Sequence, residues 1–145
     1  LFNSKGIITK YKNTSEIIID FCNVRKQLYE VRYNNELQKL KNKQDLADEK
    51  RRFIEEVVNQ TIILRNKAIL VLNKELLNKK YKKIDNSYKY LLNLPMSSLT
   101  KERIAYLKDL SQDAKEEYEK LKSITPIILW KNELTNLKKD LKKLF

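Results

Sequence analysis

Histidine is absent from this sequence, and glycine, proline and cysteine are scarce. Without histidine the chain has no imidazole to act as a catalytic acid, base or metal ligand. One glycine and two prolines among 145 residues provide few tight turns, which argues against an all-β fold. A single glycine also excludes a glycine-rich phosphate-binding loop, so these shortages remove several classes of enzyme.

Long apolar runs are also absent, and Cys22 is the only cysteine. A lone cysteine forms no internal disulfide and no cysteine-rich zinc site, and its neighbours Phe21 and Val24 indicate core packing. No apolar run approaches the roughly 20 residues that cross a bilayer, so we expect no membrane partner. The start LFNSKG has neither an initiator methionine nor a signal peptide, which leads us to expect a piece of a longer intracellular protein.

Positive charge is abundant, because 31 Lys and Arg residues stand against 19 Asp and Glu and give a net charge of +12. The excess is spread along the chain. A distributed positive charge favours a polyanion such as nucleic acid as a partner, and the alternative is a solvated, lysine-rich helical surface. We interpret the acidic pairs Glu55–Glu56 and Glu116–Glu117 as solvated helix faces, and we expect no catalytic, metal or cofactor site.

Apolar spacing predicts long amphipathic helices on either side of the middle of the chain. Residues 13–45 form the first of them, with Asn13 or Thr14 as the predicted N-cap. They carry a seam with 3–4 spacing that slips once, through Ile17, Phe21, Val24, Leu28, Val31, Tyr33, Leu37 and Leu40. Residues 100–124 repeat that spacing at Leu107, Leu110, Ala114, Leu121 and Ile124, with Thr100 as the predicted N-cap. Residues 125–145 form a further helix, which begins at Thr125 and Pro126 and bears a stripe of Ile127, Trp130, Leu134, Leu137, Leu141 and Leu144.

The remaining segments are shorter. Residues 1–12 are predicted to make a turn between two extended stretches. Residues 46–99 are predicted to form a knob with two short helices, one around Phe53 and one over 69–77, joined by TIILRNKA as a short strand or bend and followed by the polar loop KKIDNS. The predicted fold is therefore mainly α, with a long antiparallel two-helix coiled-coil stalk that carries a small helical knob at its tip.

The segment YLLNLPMSSLTKER gathers apolar residues around Pro95. Two interpretations fit this pattern: the segment is an association surface, or it closes the core of the knob. It resembles the tip of the carboxy-terminal gate of type IIA DNA topoisomerases, where the eukaryotic-type pattern is Tyr-Leu-Leu-Asp-Met-Pro-Leu followed by Leu-Thr-Lys-Glu. The matching residues are Tyr90, Leu91, Leu92, Pro95, Leu99, Thr100, Lys101 and Glu102, whereas Asn93, Ser97 and Ser98 depart from the pattern.

Four more segments resemble the same family in the same order along the chain. They are LFNSKGIITKY, IIIDFCNVRKQLYEVR, RRFIEEVVNQTIILRNKA and TPIILWKNEL. The matching residues include Gly6, Lys10, Tyr11, Phe21, Arg25, Tyr29, Arg32, Arg52, Phe53, Ile54, Glu55, Asn66, Lys67, Pro126, Leu129, Trp130 and Leu134. The short KKIDNS loop stands where cellular eukaryotic enzymes usually carry a long acidic insertion, and in this it resembles the enzymes of large DNA viruses.

The resemblance implies that the chain is a homodimerisation module, the exit gate that opens to release a transported DNA duplex during ATP-dependent strand passage. The parent enzyme would use ATP and magnesium, and this segment would hold neither. The candidate residues for a symmetric contact between two copies are Leu92, Leu94, Met96, Ile69, Leu72 and Leu76. Double-stranded DNA would bind the segment weakly and without sequence preference.

Two other functions fit the same residues. One is a lysine-rich coiled-coil scaffold or interaction module without a topoisomerase role, and the other is a basic module that holds nucleic acid directly. The resemblance implies an intracellular location, in the nucleus, or in the host cytoplasm or a viral factory if the protein is viral.

Overall fold

The computed structural model describes residues 1–144, and within them the chain is mainly α-helical, which confirms the predicted fold class. The helices are α1 (Thr14–Val58), α2 (Ile69–Asn78), α3 (Lys89–Leu92), α4 (Lys101–Lys122) and α5 (Pro126–Leu144), with a 3-10 turn at Met96–Ser98. Extended pairing among these residues is limited to two isolated antiparallel bridges, Phe2 with Ile8 and Ile84 with Ser87. The first bridge closes the predicted turn at the start of the chain.

Two compact units divide the chain, and each is described by itself. Unit 1 contains Leu1–Lys39 and the described residues from Tyr118 onward, and unit 2 contains Leu40–Glu117.

Helix α1 is continuous over 45 residues, so the prediction of a separate short helix around Phe53 is wrong. The segment that follows residue 45 contains no glycine or proline to end the helix. Ion pairs one turn apart also favour its continuation, from Arg51 to Glu55 at 2.8 Å and from Arg52 to Glu56 at 3.3 Å. TIILRNKA then follows as irregular backbone and not as a strand.

The predicted helix starts are confirmed by side-chain caps. Asn13 Oδ1 accepts a hydrogen bond from the backbone N–H of Glu16 at 3.0 Å, so Asn13 and not Thr14 caps α1. Thr100 Oγ1 and Thr125 Oγ1 accept the corresponding bonds at the starts of α4 and α5, at 3.2 and 3.3 Å. Threonine and asparagine caps are strong local signals, which is why the sequence predicted these positions well.

Unit 2 contains most of the buried side chains. One cluster joins the end of α1 to α2 and the tyrosine-rich segment beyond it, through Phe53, Ile62, Leu76, Tyr81, Tyr88 and Leu91. A second cluster packs α1 against α4 through Ala47, Ile54 and Leu107. Leu94 contacts both clusters, and it therefore links the two halves of this core.

Unit 1 buries much less, since Tyr29 is the one fully buried residue among those described in it. The predicted seam on α1 is only partly covered there, because Phe21, Leu28 and Val31 are each more than half exposed and its other members are at most half-buried. Tyr29 follows Leu28 by about 100° around the helix and stacks on Trp130 of α5, with 5.5 Å between the ring centroids. This aromatic contact therefore supplies the most deeply buried side chain of unit 1.

Candidate functional site

The six residues predicted for a symmetric contact fall into three groups in unit 2. Leu72 and Leu76 are buried in its core, with exposed fractions of 7% and 1%. Leu92 and Leu94 are partly buried and pack against that core. Ile69 and Met96 are exposed, at 69% and 78%, so these two remain available to another molecule.

Helix α2 is apolar on two sides, and only one of them is used inside unit 2. Leu72 and Leu76 are four residues apart and point into the core. Leu70 and Leu77 are seven residues apart and share a different side of the helix, where they are 75% and 56% exposed. A short helix on the surface of a small domain normally needs one apolar side, so the second one is surplus to folding.

Leu70 and Leu77 were missed as site candidates when the sequence was considered alone. The sequence-based candidates on this helix are Ile69, Leu72 and Leu76, of which only Ile69 is exposed. Four consecutive apolar residues at 69–72 followed by two at 76–77 exceed what one stripe accommodates, and that surplus is the signal that could have found the exposed pair.

The segment after Pro95 exposes Met96 beside a shallow apolar groove. Leu94, which precedes this segment, packs against the core. Met96 is the first residue of the 3-10 turn that follows Pro95. The groove has a volume of about 450 Å³ and is lined by Val57, Gln60, Ile62, Ile63, Leu64, Arg65, Met96 and Leu99. We call the set of Ile69, Leu70, Leu77 and Met96 the exposed apolar set of unit 2.

A cluster of charged and aromatic groups holds α2 against the end of α1. The Arg52 guanidinium donates to the backbone oxygen of Lys79 at 2.8 Å and lies 4.4 Å from the centre of the Tyr81 ring. The Glu56 carboxylate accepts from Arg52 and lies 2.8 Å from the Lys79 ammonium. Burial raises the pKa of Glu56, but these two cations more than offset it and hold that pKa below its usual value. Burial likewise raises the pKa of Tyr81, which stays protonated in the core.

A second polar contact fixes the KKIDNS loop. Asp45 on α1 pairs with the Lys82 ammonium at 2.8 Å, and the hydrogen bond from Lys82 lowers the pKa of this carboxyl. The Tyr90 hydroxyl donates to the backbone oxygen of Lys82 at 2.6 Å, and burial raises the pKa of Tyr90 to about 12. Asp85 and Asn86 both adopt positive φ, 50° and 55°, as a tight type I′ hairpin turn requires. The polar loop is therefore a well-anchored hairpin that needs no glycine.

The two predicted acidic pairs differ in exposure: Glu116 and Glu117 are exposed as predicted, whereas Glu55 and Glu56 are partly buried in ion pairs. Glu55 pairs with Arg51 at 2.8 Å, and Glu116 accepts a hydrogen bond from Gln112 at 3.1 Å. Within residues 1–144 no group of three or more acidic or cysteine side chains is placed to hold a metal ion. None of the helices described is both long enough and apolar enough to span a membrane.

Comparison with known proteins gives consistent matches over nearly the whole chain. The family model for the A-type subunit of DNA gyrase/topoisomerase IV matches residues 1–137. DNA topoisomerase 2 of Invertebrate iridescent virus 6 is 32% identical over 118 residues, which cover 81% of this chain and 10% of that protein. DNA topoisomerase 2 of Acanthamoeba polyphaga mimivirus is 33% identical over 144 residues, which cover 92% of this chain and 11% of that protein.

A solved structure shares the fold as well. The crystal structure of the Plasmodium falciparum topoisomerase II DNA-binding, cleavage and re-ligation domain matches with a TM-score of 0.86 and 25% identity, over 98% of this chain and 23% of that one. The chain spans about a tenth of the length of the two viral relatives.

Proposed function

The chain belongs to the type II DNA topoisomerase family, which includes DNA gyrase and topoisomerase IV, and from that premise we propose that it is the carboxy-terminal exit gate of such an enzyme. In this function two copies associate through unit 2, close a ring, and part again to release a transported DNA duplex. The observation that carries the proposal is the exposed apolar set on a unit whose core is complete without it.

The exposed apolar set supports a contact between identical copies. Single exposed apolar side chains are common on monomers, but a group of large ones on one small unit is typical of an interaction surface. A two-fold contact uses each residue twice, once from each copy, so a small patch suffices. Full burial of one side chain of this kind contributes about 1.5–3 kcal/mol, and a few of them make a contact that holds and still opens.

The division of α2 between core and surface refines which residues we assign to the contact. Ile69 and Met96 stay in the proposed interface, and Leu70 and Leu77 join them. Leu92 and Leu94 contribute only through their partly exposed edges. Leu72 and Leu76 support α2 from inside the core, so their substitution tests folding and not association.

The parent polypeptide, in this proposal, couples ATP hydrolysis and magnesium-assisted DNA cleavage to strand passage. We propose that both of those steps belong to parts of the polypeptide outside this chain. For this segment we propose weak, sequence-independent contact with double-stranded DNA through its lysines, with an affinity that falls steeply as salt rises. The family match disfavours a scaffold without a topoisomerase role.

Sedimentation velocity over a concentration series tests the proposed contact. We expect the chain to self-associate and Leu70→Asp and Met96→Asp to give folded monomers, because each variant places two charges in one apolar contact. Asn78→Asp on the same helix and Asn93→Asp near Met96 are matched controls, since both add one negative charge at exposed polar positions. Circular dichroism would check that all four variants keep their helix content. Dimers that survive both Leu70→Asp and Met96→Asp would rule out this surface.

A further inference from the structure

Lys74 is the charged residue that shares a side of α2 with the exposed leucines. Leu70 precedes it by four residues and Leu77 follows it by three, so the three side chains lie on one side of the helix. At about 100° per residue, Lys74 lies about 180° around the helix from the midpoint between Leu72 and Leu76, which are buried in the core. The side of α2 that faces away from the core is therefore a pair of leucines with a lysine between them.

The structure of unit 2 gives the Lys74 ammonium no task in folding. The neighbouring charges on and beside α2 are paired, since Lys67 lies 2.8 Å from Glu75 and Lys79 lies 2.8 Å from Glu56. Lys74 is exposed, and among the described residues its ammonium has no hydrogen-bond or ion-pair partner. Its charge is therefore free to act on whatever approaches this side of the helix.

A second copy would bring another Lys74 to the same place. This step rests on the proposed gate, in which a second copy covers Leu70 and Leu77. When a helix pairs with its own copy about a two-fold axis, the middle of the helix lies nearest to that axis. Position 74 is in the middle of the helix Ile69–Asn78, so each Lys74 would face its counterpart. Like charges brought together across an interface weaken it.

We propose that Lys74 lies beside the two-fold axis of the gate and that repulsion between its two copies limits the strength of the contact. The exposed leucines supply the attraction, and the paired ammonium groups oppose it. This opposition gives the gate a contact that closes and still parts, because the lysines lower its affinity without removing any apolar side chain.

Removal of the charge tests the repulsion. Lys74→Gln is neutral but still polar, so it removes the charge without adding apolar surface. In sedimentation equilibrium at low salt, about 50 mM NaCl, we expect this variant to dimerise at least fivefold more tightly than the unmodified chain. Lys115→Gln is the matched control, because Lys115 is exposed on α4 of the same unit and its loss lowers the net charge equally. The control should change the dissociation constant less than twofold.

Salt identifies the cause of any gain in affinity. Sodium chloride at about 0.5 M screens charges beyond a few ångströms, so the advantage of Lys74→Gln over the unmodified chain should shrink at least twofold there. An advantage that is equal at the two salt concentrations would overturn the proposal, since repulsion would not be its source. Circular dichroism would check that the variants keep their helix content.

A cysteine at position 74 tests the placement beside the axis. Two cysteines form a disulfide only when their Cα atoms lie within about 7 Å of each other, which a residue beside a two-fold axis achieves with its own counterpart. In a Cys22→Ser background, Lys74→Cys should form covalent dimers under mild oxidation at least tenfold faster than Asn78→Cys, at the end of the same helix. Equal rates, or a faster reaction at position 78, would place the axis elsewhere and contradict the proposal.

Failure of the gate and failure of this inference give different results. Dimers that survive Leu70→Asp, or a chain that stays monomeric both unmodified and as Lys74→Gln, would overturn both. Dimers that are lost in Leu70→Asp but unchanged in Lys74→Gln would overturn only the role of the lysine. Weaker dimers in Lys74→Gln would also overturn that role alone, because the ammonium would then bind an acceptor on the partner copy.

Discussion

Arg52 concentrates three contacts in one side chain. Its guanidinium pairs with Glu56, donates to the backbone oxygen of Lys79 at the end of α2, and covers the face of the Tyr81 ring. Because α2 carries the exposed leucines, the placement of the proposed interface depends on this residue. Sequence alone identified Arg52 as a match to the family pattern but gave no physical reason for it. Its partners Lys79 and Tyr81, which follow α2, are 27 and 29 residues away along the chain.

Arg52→Ala is expected to lower the free energy of unfolding by about 1–3 kcal/mol, because it removes a charged hydrogen bond and a cation–π contact together. Urea denaturation followed by circular dichroism measures this loss. Arg51→Ala is the matched control, since Arg51 makes surface ion pairs with Glu55 and Asp48 and should cost less than about 1 kcal/mol. Equal effects of the two substitutions would refute the special role of Arg52.

Tyr90 gives the stability a dependence on high pH. Burial raises its pKa to about 12 from an ordinary value of 10.0, so the folded state favours the protonated phenol. This contribution is fully present below pH 10 and is lost as the pH rises from 10 to 12. Tyr90→Phe should therefore be less stable at neutral pH, where it lacks the bond to Lys82, and should lose less further stability over that alkaline range.

Chemical denaturation at pH 9, 10 and 11 checks this pH dependence. Tyr106→Phe serves as the control, because it removes the hydroxyl of an exposed tyrosine on α4. A slope for Tyr90→Phe equal to that of the unmodified chain would show that Tyr90 is not responsible.

At the scale of elements, α1 and α2 both end on a residue with positive φ that is not glycine. Gln60 after α1 and Lys80 after α2 each have φ of 60°. In each case the backbone N–H of the next residue donates a hydrogen bond to the carbonyl oxygen five positions earlier. These bonds run from Thr61 to Glu56 and from Tyr81 to Leu76, as in a Schellman motif. These hydrogen bonds satisfy carbonyl groups at the helix ends. They also require a residue that carries a Cβ to adopt the left-handed backbone conformation, which is energetically unfavourable.

Lys80→Gly should therefore stabilise unit 2 by about 0.5–1 kcal/mol, as relief of that strain outweighs the added freedom of glycine in the unfolded chain. Thermal unfolding monitored by circular dichroism would register the gain as a higher Tm. Asn78→Gly, two residues earlier and within α2, should lower the Tm because glycine is unfavourable inside a helix. A lower Tm for Lys80→Gly would contradict this account of the helix end.

The elements also show how far the sequence predicts the structure and where it stops. Caps such as Asn13 and Thr100 act within one helical turn, so local sequence determines them. The true end of α1 at Val58 was missed, because the change in apolar spacing after residue 45 reflects a change of packing partner and not a break in the helix. Which side of α2 turns inward depends on residues such as Phe53 and Leu91 that are distant in sequence, and periodicity cannot supply that information.

At the scale of the whole molecule, burial is distributed unevenly. Unit 2 has a continuous core and a small exposed apolar set, whereas unit 1 buries Tyr29 and leaves the leucines of α5 uncovered within the residues described. The first pattern is the one on which the proposed contact between two copies rests. Both patterns agree with a chain that spans about a tenth of the length of the two viral relatives.

The central claim is that two copies meet through the exposed apolar set of unit 2, and Met96 offers a direct test of it. Met96 is the only methionine of the chain and is 78% exposed, so peptide mapping reports its oxidation to the sulfoxide without interference from another methionine. The rate of its oxidation by hydrogen peroxide would be measured across the concentration range in which sedimentation detects association. We predict that the rate falls as dimers form and that Leu70→Asp abolishes this fall. An oxidation rate that stays constant while the chain dimerises would place the contact elsewhere and contradict the account.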